Sequence, residues 1–409
     1  MYNNLIINNL KPYISMKSNQ IFIAFLALTS FSQATDAQVD VFKTNKKGSN
    51  FHFSNIHEVK ATSVKDQGRT GTCWSFSSES FLESEIIRAG KEPVDLAEMF
   101  VARKAYEEKA VRYVRMQGKV NMAQGGEPHD VINMMKKYGA VPQSAYSGLT
   151  NGETKYDHNE LEATVKAFCD AIIKNIESGK PASKNWKAAL DGILDAYLGK
   201  VPEKFDYNGK TYTPKTFAAT LGINPEDYVE ITSFTHHPYY SKFVIEIPDN
   251  WIGAEVYNVT LPEMEEITDN ALKNNYSIEW ASDVSEKYFS FKNGLAIVPE
   301  KKVEDMSQTE KDSLFLLPGK EKSITVEMRQ EAFDNQTTQD DHGMHITGLA
   351  KDQNGNKYYV VKNSWGSESN DLNGYFYCSK PYFQYKTTGI MVNKKAIPSG
   401  IAKKLGINI

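Results

Sequence analysis

The chain has 409 residues, of which 40% are hydrophobic and 24% are charged, a balance typical of a globular protein with a large buried core. Its 47 basic and 51 acidic side chains give a formal net charge of −4. A nucleic-acid-binding protein usually needs a basic surface that displaces counterions from phosphate. The composition therefore argues against nucleic acid as a partner.

Residues 1–37 have the features of an export leader. After Met16 come a cationic start, an apolar run from Ile21 to Leu28, and a small residue at Ala34 or Ala37. This order is typical of a signal peptide, and the apolar run is too short to span a bilayer. We therefore predict that the protein is exported, to the periplasm or outside the cell, and that no segment inserts into a membrane. The true start codon is left open, since Met16 can serve as well as the first residue.

Periodicity in the rest of the chain predicts an α+β fold in which helices come first and strands come last. Three helical patterns precede a helical block at about 150–230, which we interpret as an insertion. Turn-bounded runs rich in Val, Ile and Tyr then predict strands. The helical patterns lie at 73–89, 96–116, 128–138, 158–178 and 184–199, and the strand patterns at 243–247, 254–260 and 357–362.

The three cysteines are far apart in the sequence, at Cys73, Cys169 and Cys378. So few cysteines do not make a disulfide framework, and at least one thiol must lack a partner within the chain. Cys169 lies on a helical pattern and Cys378 on a strand pattern. Both are predicted to be small core residues.

Cys73 differs because it opens a helical pattern and follows Gln67, Gly68 and Gly71. The first turn of a helix offers free N–H groups and the positive end of the helix dipole, which favour a thiolate nucleophile. The amide of Gln67 can return beside the sulfur and donate to an oxyanion, a role worth about 3 kcal/mol of barrier. A lone cysteine at a helix start is more often a buried structural thiol, but these flanking residues favour function.

Two histidines, His342 and His345, lie in one strand pattern and are candidates for the base. A hairpin turn at Asn354-Gly355 brings this strand near Asn363, whose amide oxygen can hold an imidazole by its second nitrogen. Trp365 can cover that hydrogen bond and exclude water from it. Residues three apart face opposite sides of a strand, so the two histidines cannot both face one cleft unless the strand is bulged.

The pair His236-His237 has no cysteine or acidic residue at the usual spacing of metal ligands. We interpret these two histidines as loop residues. The sequence therefore predicts neither a metal site nor a cofactor.

Four segments resemble, in order, the signature segments of the papain-like cysteine peptidases. The base of that family is followed by a small residue and by a glycine six places on, which His342 fits and His345 does not. The resemblance implies a nucleophile, a base, an orienting amide and an oxyanion donor, which are Cys73, His342, Asn363 and Gln67. The matching segments are Gln67, Cys73-Trp74, Asp341-His342-Gly343 and Asn363-Ser364-Trp365-Gly366.

The same resemblance implies substrate-binding residues and an architecture. Gly125-Gly126, followed by Pro128, resembles the family's wall that hydrogen-bonds an extended substrate backbone, and Trp365 completes this set. The implied fold has two lobes, one helical and one resembling a β-barrel. Residues 38–409 are then one peptidase domain that carries the helical insertion at about 150–230.

Three departures from the family pattern resemble the bleomycin hydrolase and aminopeptidase C branch. Thr70 and Ala123 replace a disulfide pair, about 35 residues separate the leader from Cys73, and Cys73 is about 270 residues from His342. Papain-type chains have a spacing of roughly 130–150 residues. Three further segments resemble this branch more weakly, at residues 95–100, 280–285 and 389–398.

This branch implies an aminopeptidase that releases N-terminal residues of peptides through an acyl-enzyme on Cys73. It also implies a homohexamer in which a C-terminal arm enters the cleft and its carboxylate meets the substrate amine. The segment after Pro398 is shorter than that arm. Three alternatives therefore stay open: an exported endopeptidase with an open cleft, an amidase or acyltransferase, and an inactive peptide-binding module. Side-chain preference and physiological substrate cannot be predicted.

Overall fold

The computed structural model describes residues 43–409, so the predicted leader at 1–37 lies outside the described residues. The described chain combines helices with one large sheet. The helices are α1 (Cys73–Arg88), α2 (Glu98–Arg115), α3 (Pro128–Tyr138), α4 (Asn159–Glu177), α5 (Trp186–Leu198), α6 (Pro214–Ala218), α7 (Leu261–Lys273), α8 (Gln308–Ser313), α9 (Val326–Asp334), α10 (Lys380–Lys386) and α11 (Ser399–Leu405). The strands are β1 (Phe53–Glu58), β2 (Phe205–Tyr207), β3 (Lys210–Tyr212), β4 (Tyr228–Thr232), β5 (Lys242–Val244), β6 (Glu255–Asn258), β7 (Ile278–Ser282), β8 (Phe289–Ser290), β9 (Leu295–Ala296), β10 (His342–Asp352), β11 (Lys357–Lys362), β12 (Tyr375–Ser379) and β13 (Thr387–Asn393).

The large sheet has 11 strands in the order β5-β6-β4-β13-β7-β10-β11-β12-β9-β8, with β1 paired to β10. Within the described residues it is an open path with two ends, not a closed barrel. Most neighbours are antiparallel, and β4–β6 and β12–β9 are parallel. The α+β class is confirmed, whereas helices and strands alternate after β4 instead of separating as predicted.

The long strand β10 is central, because β1, β7 and β11 all pair with it. The hairpin to β11 turns where Asn354-Gly355 predicted it. Gly355 has φ of +83°, which favours glycine, and the Asp352 carboxylate accepts the N–H groups of Asn354 and Asn356. This turn sets the register that brings the end of β11 back beside the start of β10.

Helix α1 packs between β10 and the helices α2 and α3, so it is buried on nearly all sides. Phe81, Leu82 and Ile86 are each 0% exposed. Acidic residues of α1 share this burial, and each needs a partner there. Glu83, for example, accepts a hydrogen bond from Leu96 N at 2.8 Å and pairs with Lys65 at 3.1 Å.

The two faces of the sheet carry different cores. On β13, Met391 packs with α1 to α3, while its neighbours Ile390 and Val392 pack with α7 and α11. Since neighbouring strand residues face opposite sides, α11 lies on the face opposite Cys73. The predicted insertion at about 150–230 contains α4, α5, the β2–β3 hairpin and α6, of which α4 and α5 pack against α2.

Candidate active site

Cys73 is the first residue of α1 and is half-buried. The backbone N–H groups of Gly343 and Trp74 both face its sulfur. A Cβ added to Gly343 would lie 3.2 Å from Trp74 Cα, so only glycine lets β10 approach the start of α1 this closely. Because Gly343 directly follows His342, the start of β10, which carries the predicted base, touches α1 at the predicted nucleophile.

His342 forms a hydrogen bond with Asn363, at 2.7 Å from Nε2 to Oδ1. An amide oxygen only accepts, so Nε2 carries the proton and Nδ1 is the basic nitrogen. The Asn363 oxygen is itself held by the N–H of Ser364 at 2.8 Å. The Trp365 ring lies over the imidazole with centroids 4.6 Å apart, where it shields this hydrogen bond from water.

His345 faces the other way, as residues three apart in a strand should. It is 1% exposed, its Nδ1 lies 2.9 Å from Ser80 Oγ, and its ring packs edge-on against Phe81 of α1. His345 is therefore a core residue.

Gln67 is 6% exposed and is held at both ends of its amide. Nε2 donates to Thr70 O at 2.7 Å, and Oε1 accepts the hydroxyl of Ser364 at 2.6 Å. The second N–H of Nε2 remains for a ligand. Ser364 thus joins the loop that carries Asn363 to the loop that carries Gln67, a link that the sequence did not predict.

The Gly125-Gly126 wall is packed too tightly for any other residue. A Cβ on Gly126 would lie 2.9 Å from the Trp74 ring, and one on Gly125 would lie 1.8 Å from Asp249 Oδ2. Gln124 fixes the wall to the nucleophile loop, because its Oε1 accepts Gly71 N at 2.7 Å and its carbonyl accepts Trp74 Nε1 at 3.0 Å.

Burial dominates the protonation of the reactive pair. It raises the pKa of the Cys73 thiol to about 12, although the N–H groups facing the sulfur oppose this shift. Burial also lowers the pKa of His342 to about 4, although the hydrogen bond that His342 donates to Asn363 opposes this shift. Near neutral pH the resting pair is therefore a thiol beside a neutral imidazole, and neutral Nδ1 can take the thiol proton during attack.

Acidic residues surround the wall and the base, and they were not predicted as site residues. Asp340 lies two residues before His342, and Glu127 directly follows Gly126 and is 6% exposed. Their carboxyls are hydrogen-bonded to each other. Asp340 and Asp249 both act electrostatically on the Cys73 thiol and raise its pKa further.

The other two cysteines are buried as predicted. Cys169 and Cys378 are each 0% exposed, in α4 and β12, and all three thiols are free. At the His236-His237 loop, however, the fold brings an acidic residue, Glu246, next to both histidines, which the sequence spacing did not predict. Glu246 accepts from both imidazoles, at 3.1 and 2.9 Å.

The His236–Glu246 contact is a hydrogen bond in its present tautomer. Gln330 Nε2 lies 3.0 Å from His236 Nδ1, while its Oε1 accepts the Thr235 N–H. Nδ1 is therefore the acceptor, and Nε2 carries the proton that it donates to Glu246. A metal ligand would need the opposite arrangement on this ring.

The fold and this geometry define a cysteine peptidase of the papain-like class. The profile of the Peptidase C1-like family matches residues 94–409, and the chain belongs to that family. Cys73 precedes the matched range.

Individual relatives support the aminopeptidase C and bleomycin hydrolase branch. The chain is 23% identical over 412 residues to aminopeptidase C of Lactobacillus delbrueckii subsp. lactis, covering 91% of this chain and 86% of that protein. It is 22% identical to bleomycin hydrolase of Mus musculus, with coverage of 87% and 85%. The crystal structure of PepW from Lactobacillus rhamnosis shares the fold, with a TM-score of 0.66, 20% identity and coverage of 86% and 84%.

Among residues 43–409, no helix is both long and apolar enough to cross a membrane.

Proposed function

We propose that the chain is a thiol-dependent aminopeptidase that removes N-terminal residues from peptides. The observation that supports this proposal is the placing of Cys73 against Gly343, next to the His342–Asn363 hydrogen bond, together with an Asp249 carboxylate that lies against Gly125 of the wall. A substrate chain cannot continue past a carboxylate that lies in this position. The cleft therefore favours a substrate that begins there.

The chemistry follows from the hydrogen bonds. The Cys73 sulfur attacks the carbonyl carbon of the first residue while His342 Nδ1 takes the thiol proton. The developing oxyanion receives the free N–H of Gln67 and a backbone N–H from the start of α1. His342 then protonates the leaving amine, and water activated by the same nitrogen hydrolyses the thioester.

The experiment compares a free peptide with its N-acetylated form and identifies the products by mass spectrometry. We expect single N-terminal residues from the free peptide, little cleavage of the acetylated peptide, and no turnover by Cys73→Ala. Equal cleavage of both peptides would instead support the open-cleft endopeptidase. Turnover by Cys73→Ala would remove the nucleophile from the proposal.

We also propose that residues 1–37 direct export. The support is the order of a cationic start, a short apolar run and small residues in the sequence. N-terminal sequencing of the protein recovered from the periplasm or medium should give a start near residue 35 or 38. An intact leader on protein found in the cytoplasm would refute export.

For oligomeric state, the family resemblance suggests a homohexamer. Sedimentation velocity separates a hexamer from a monomer by a sixfold difference in mass. A monomer that retains aminopeptidase activity would show that assembly is not needed for the reaction.

A further inference from the structure

The cleft beside the reactive pair holds a carboxyl pair whose partners come from opposite sides. Glu127 belongs to the loop that begins α3, and Asp340 belongs to the segment that leads into β10. Their hydrogen bond therefore spans the cleft between the glycine wall and the base. Burial and the neighbouring carboxylates Glu230 and Asp249 raise the pKa of both acids, that of Asp340 to about 6.

Within residues 43–409, no Lys, Arg or His side chain forms an ion pair with Glu127, Asp340 or Asp249. The nearby cations are already engaged. His129 pairs with Glu230 at 2.9 Å, and the Lys109 ammonium donates to Ala123 O at 2.7 Å and to Gly125 O. Lys109 and His129 still act on Glu127 and Asp340 electrostatically, but neither forms a direct ion pair with them.

A deeper acidic residue, Glu279, lies close enough to Asp340 to interact with it electrostatically. Glu279 is 0% exposed, its Oε1 accepts Ser77 Oγ at 2.7 Å, and its Oε2 has no hydrogen-bond partner in the described structure. Oε1 lies only 3.3 Å from where a Cβ of Gly343 would be, so the carboxyl is directly behind the residue that touches the Cys73 sulfur. Burial raises the pKa of Glu279, and the charges of Glu230 and Asp340 add to this shift, which favours the neutral carboxyl.

A buried carboxyl pair that carries negative charge is costly unless a cation binds to it directly. Ile401, Ala402 and Leu405 of α11 pack on the opposite face of the sheet. The cleft therefore has an anionic end that faces the substrate.

We propose that Glu127 and Asp340 bind the α-ammonium group of the substrate's N-terminal residue, and that this contact selects unblocked peptides. The proposal rests on the aminopeptidase function above and assigns its recognition to side chains of the cleft. Asp340 is the principal acceptor, since it is the less buried member of the pair. Glu127 shares the remaining proton with it and releases that proton when a cation arrives.

An α-ammonium fits better than a basic side chain for two reasons. Glu127 directly follows the wall and Asp340 lies two residues before the base, so the pair joins the two segments that would flank the substrate's first residue. The Asp249 carboxylate lies against Gly125 and occupies space that further residues of a longer substrate would need. A lysine or arginine side chain would require such a longer substrate.

The test measures kcat/KM for aminoacyl coumarin amides with a free amine. Asp340→Asn keeps the hydrogen bond to Glu127 but removes the charge, so we expect a loss of about 10- to 100-fold, mostly through KM. Glu127→Gln leaves Asp340 ionised, and we expect the smaller loss of the two. Glu331→Gln on the exposed face of α9 is the matched control and should behave as wild type.

A second readout does not need turnover. Alkylation of Cys73 by alanyl chloromethyl ketone is compared with alkylation by its N-acetyl form; in each case sulfur displaces chloride from the CH2 carbon. Wild type should react faster with the free-amine reagent, and Asp340→Asn should lose this preference. Its rate with the acetylated reagent should not fall, because removing the Asp340 charge makes the Cys73 thiol easier to ionise. If Asp340→Asn is unfolded, it will lose both rates together. The preference for the free-amine reagent is then measured with Glu127→Gln and with the double variant Glu127→Gln/Asp340→Asn.

The outcomes separate the two proposals. If wild type treats free and acetylated substrates alike, the aminopeptidase function itself is refuted. If wild type discriminates but Asp340→Asn and the double variant discriminate equally well, the ammonium site lies elsewhere. Release of dipeptides by wild type would also overturn the placement, because the ammonium would then lie one residue farther from the sulfur.

Discussion

Gln67 offers the sharpest test of how the site stabilises a reaction intermediate. Gln67→Ala removes two buried hydrogen bonds, to Thr70 O at 2.7 Å and from Ser364 Oγ at 2.6 Å. At about 1 kcal/mol for each bond, the free energy of unfolding should fall by about 2 kcal/mol. Loss of the remaining N–H as an oxyanion donor should raise the reaction barrier by about 2.7–4 kcal/mol, which lowers kcat by about 10²- to 10³-fold.

The rates of substrate turnover and of Cys73 alkylation distinguish an oxyanion donor from a residue that only positions the thiol. Turnover of an aminoacyl coumarin amide develops an oxyanion, whereas alkylation of Cys73 by iodoacetamide does not. We therefore expect Gln67→Ala to lose kcat and to keep an alkylation rate near that of wild type. If both rates fall together, Gln67 only positions Cys73; if kcat falls by less than tenfold, the oxyanion role is wrong.

The remaining predictions concern two glycines and one buried acid. Gly125→Ala should raise KM at least tenfold, because its Cβ would lie 1.8 Å from Asp249 Oδ2 and must displace that carboxylate from the wall. Gly192→Ala is the matched control: it has open space inside α5 and should raise the free energy of unfolding by about 0.5–1 kcal/mol in urea titrations. Burial raises the pKa of Glu321 to about 7. Ionisation of this carboxyl as the pH rises from about 4.5 to 7 therefore lowers the free energy of unfolding. Glu321→Gln should have a free energy of unfolding up to about 3 kcal/mol above that of wild type at pH 8 and equal to it at pH 4. Equal urea midpoints for Glu321→Gln and wild type at pH 8 would contradict this last expectation.

Much of the catalytic group could be predicted because its geometry is local. A helix start supplies the N–H groups beside Cys73, and an Asn-Gly hairpin brings Asn363 back to His342. These features depend on turn chemistry and on the length of one hairpin, which a single sequence displays. The choice between His342 and His345 needed the family resemblance, since periodicity alone shows only that they face opposite sides.

The rest of the site depends on contacts between distant segments. Asp249 contacts Gly125 from a loop between β5 and β6, and hydrophobic periodicity in the sequence does not predict that contact. Glu127 and Asp340 are far apart in sequence, although each adjoins a motif and their acidic character was visible there. The sheet was also underestimated, because β7 is buried at every position and so lacks the alternation that identifies a half-exposed strand.

The electrostatics of the cleft connect recognition to reactivity. Burial keeps Cys73 as a thiol, and the charges of Asp340 and Asp249 make its ionisation harder still. A substrate ammonium bound at Asp340 opposes that charge at the moment when its own carbonyl reaches the sulfur. Proton transfer to His342 then becomes easier only with an unblocked substrate in place, because an acetylated amine brings no charge. On this basis the free amine contributes to the chemical step as well as to binding, and kcat should respond to Asp340→Asn in addition to KM.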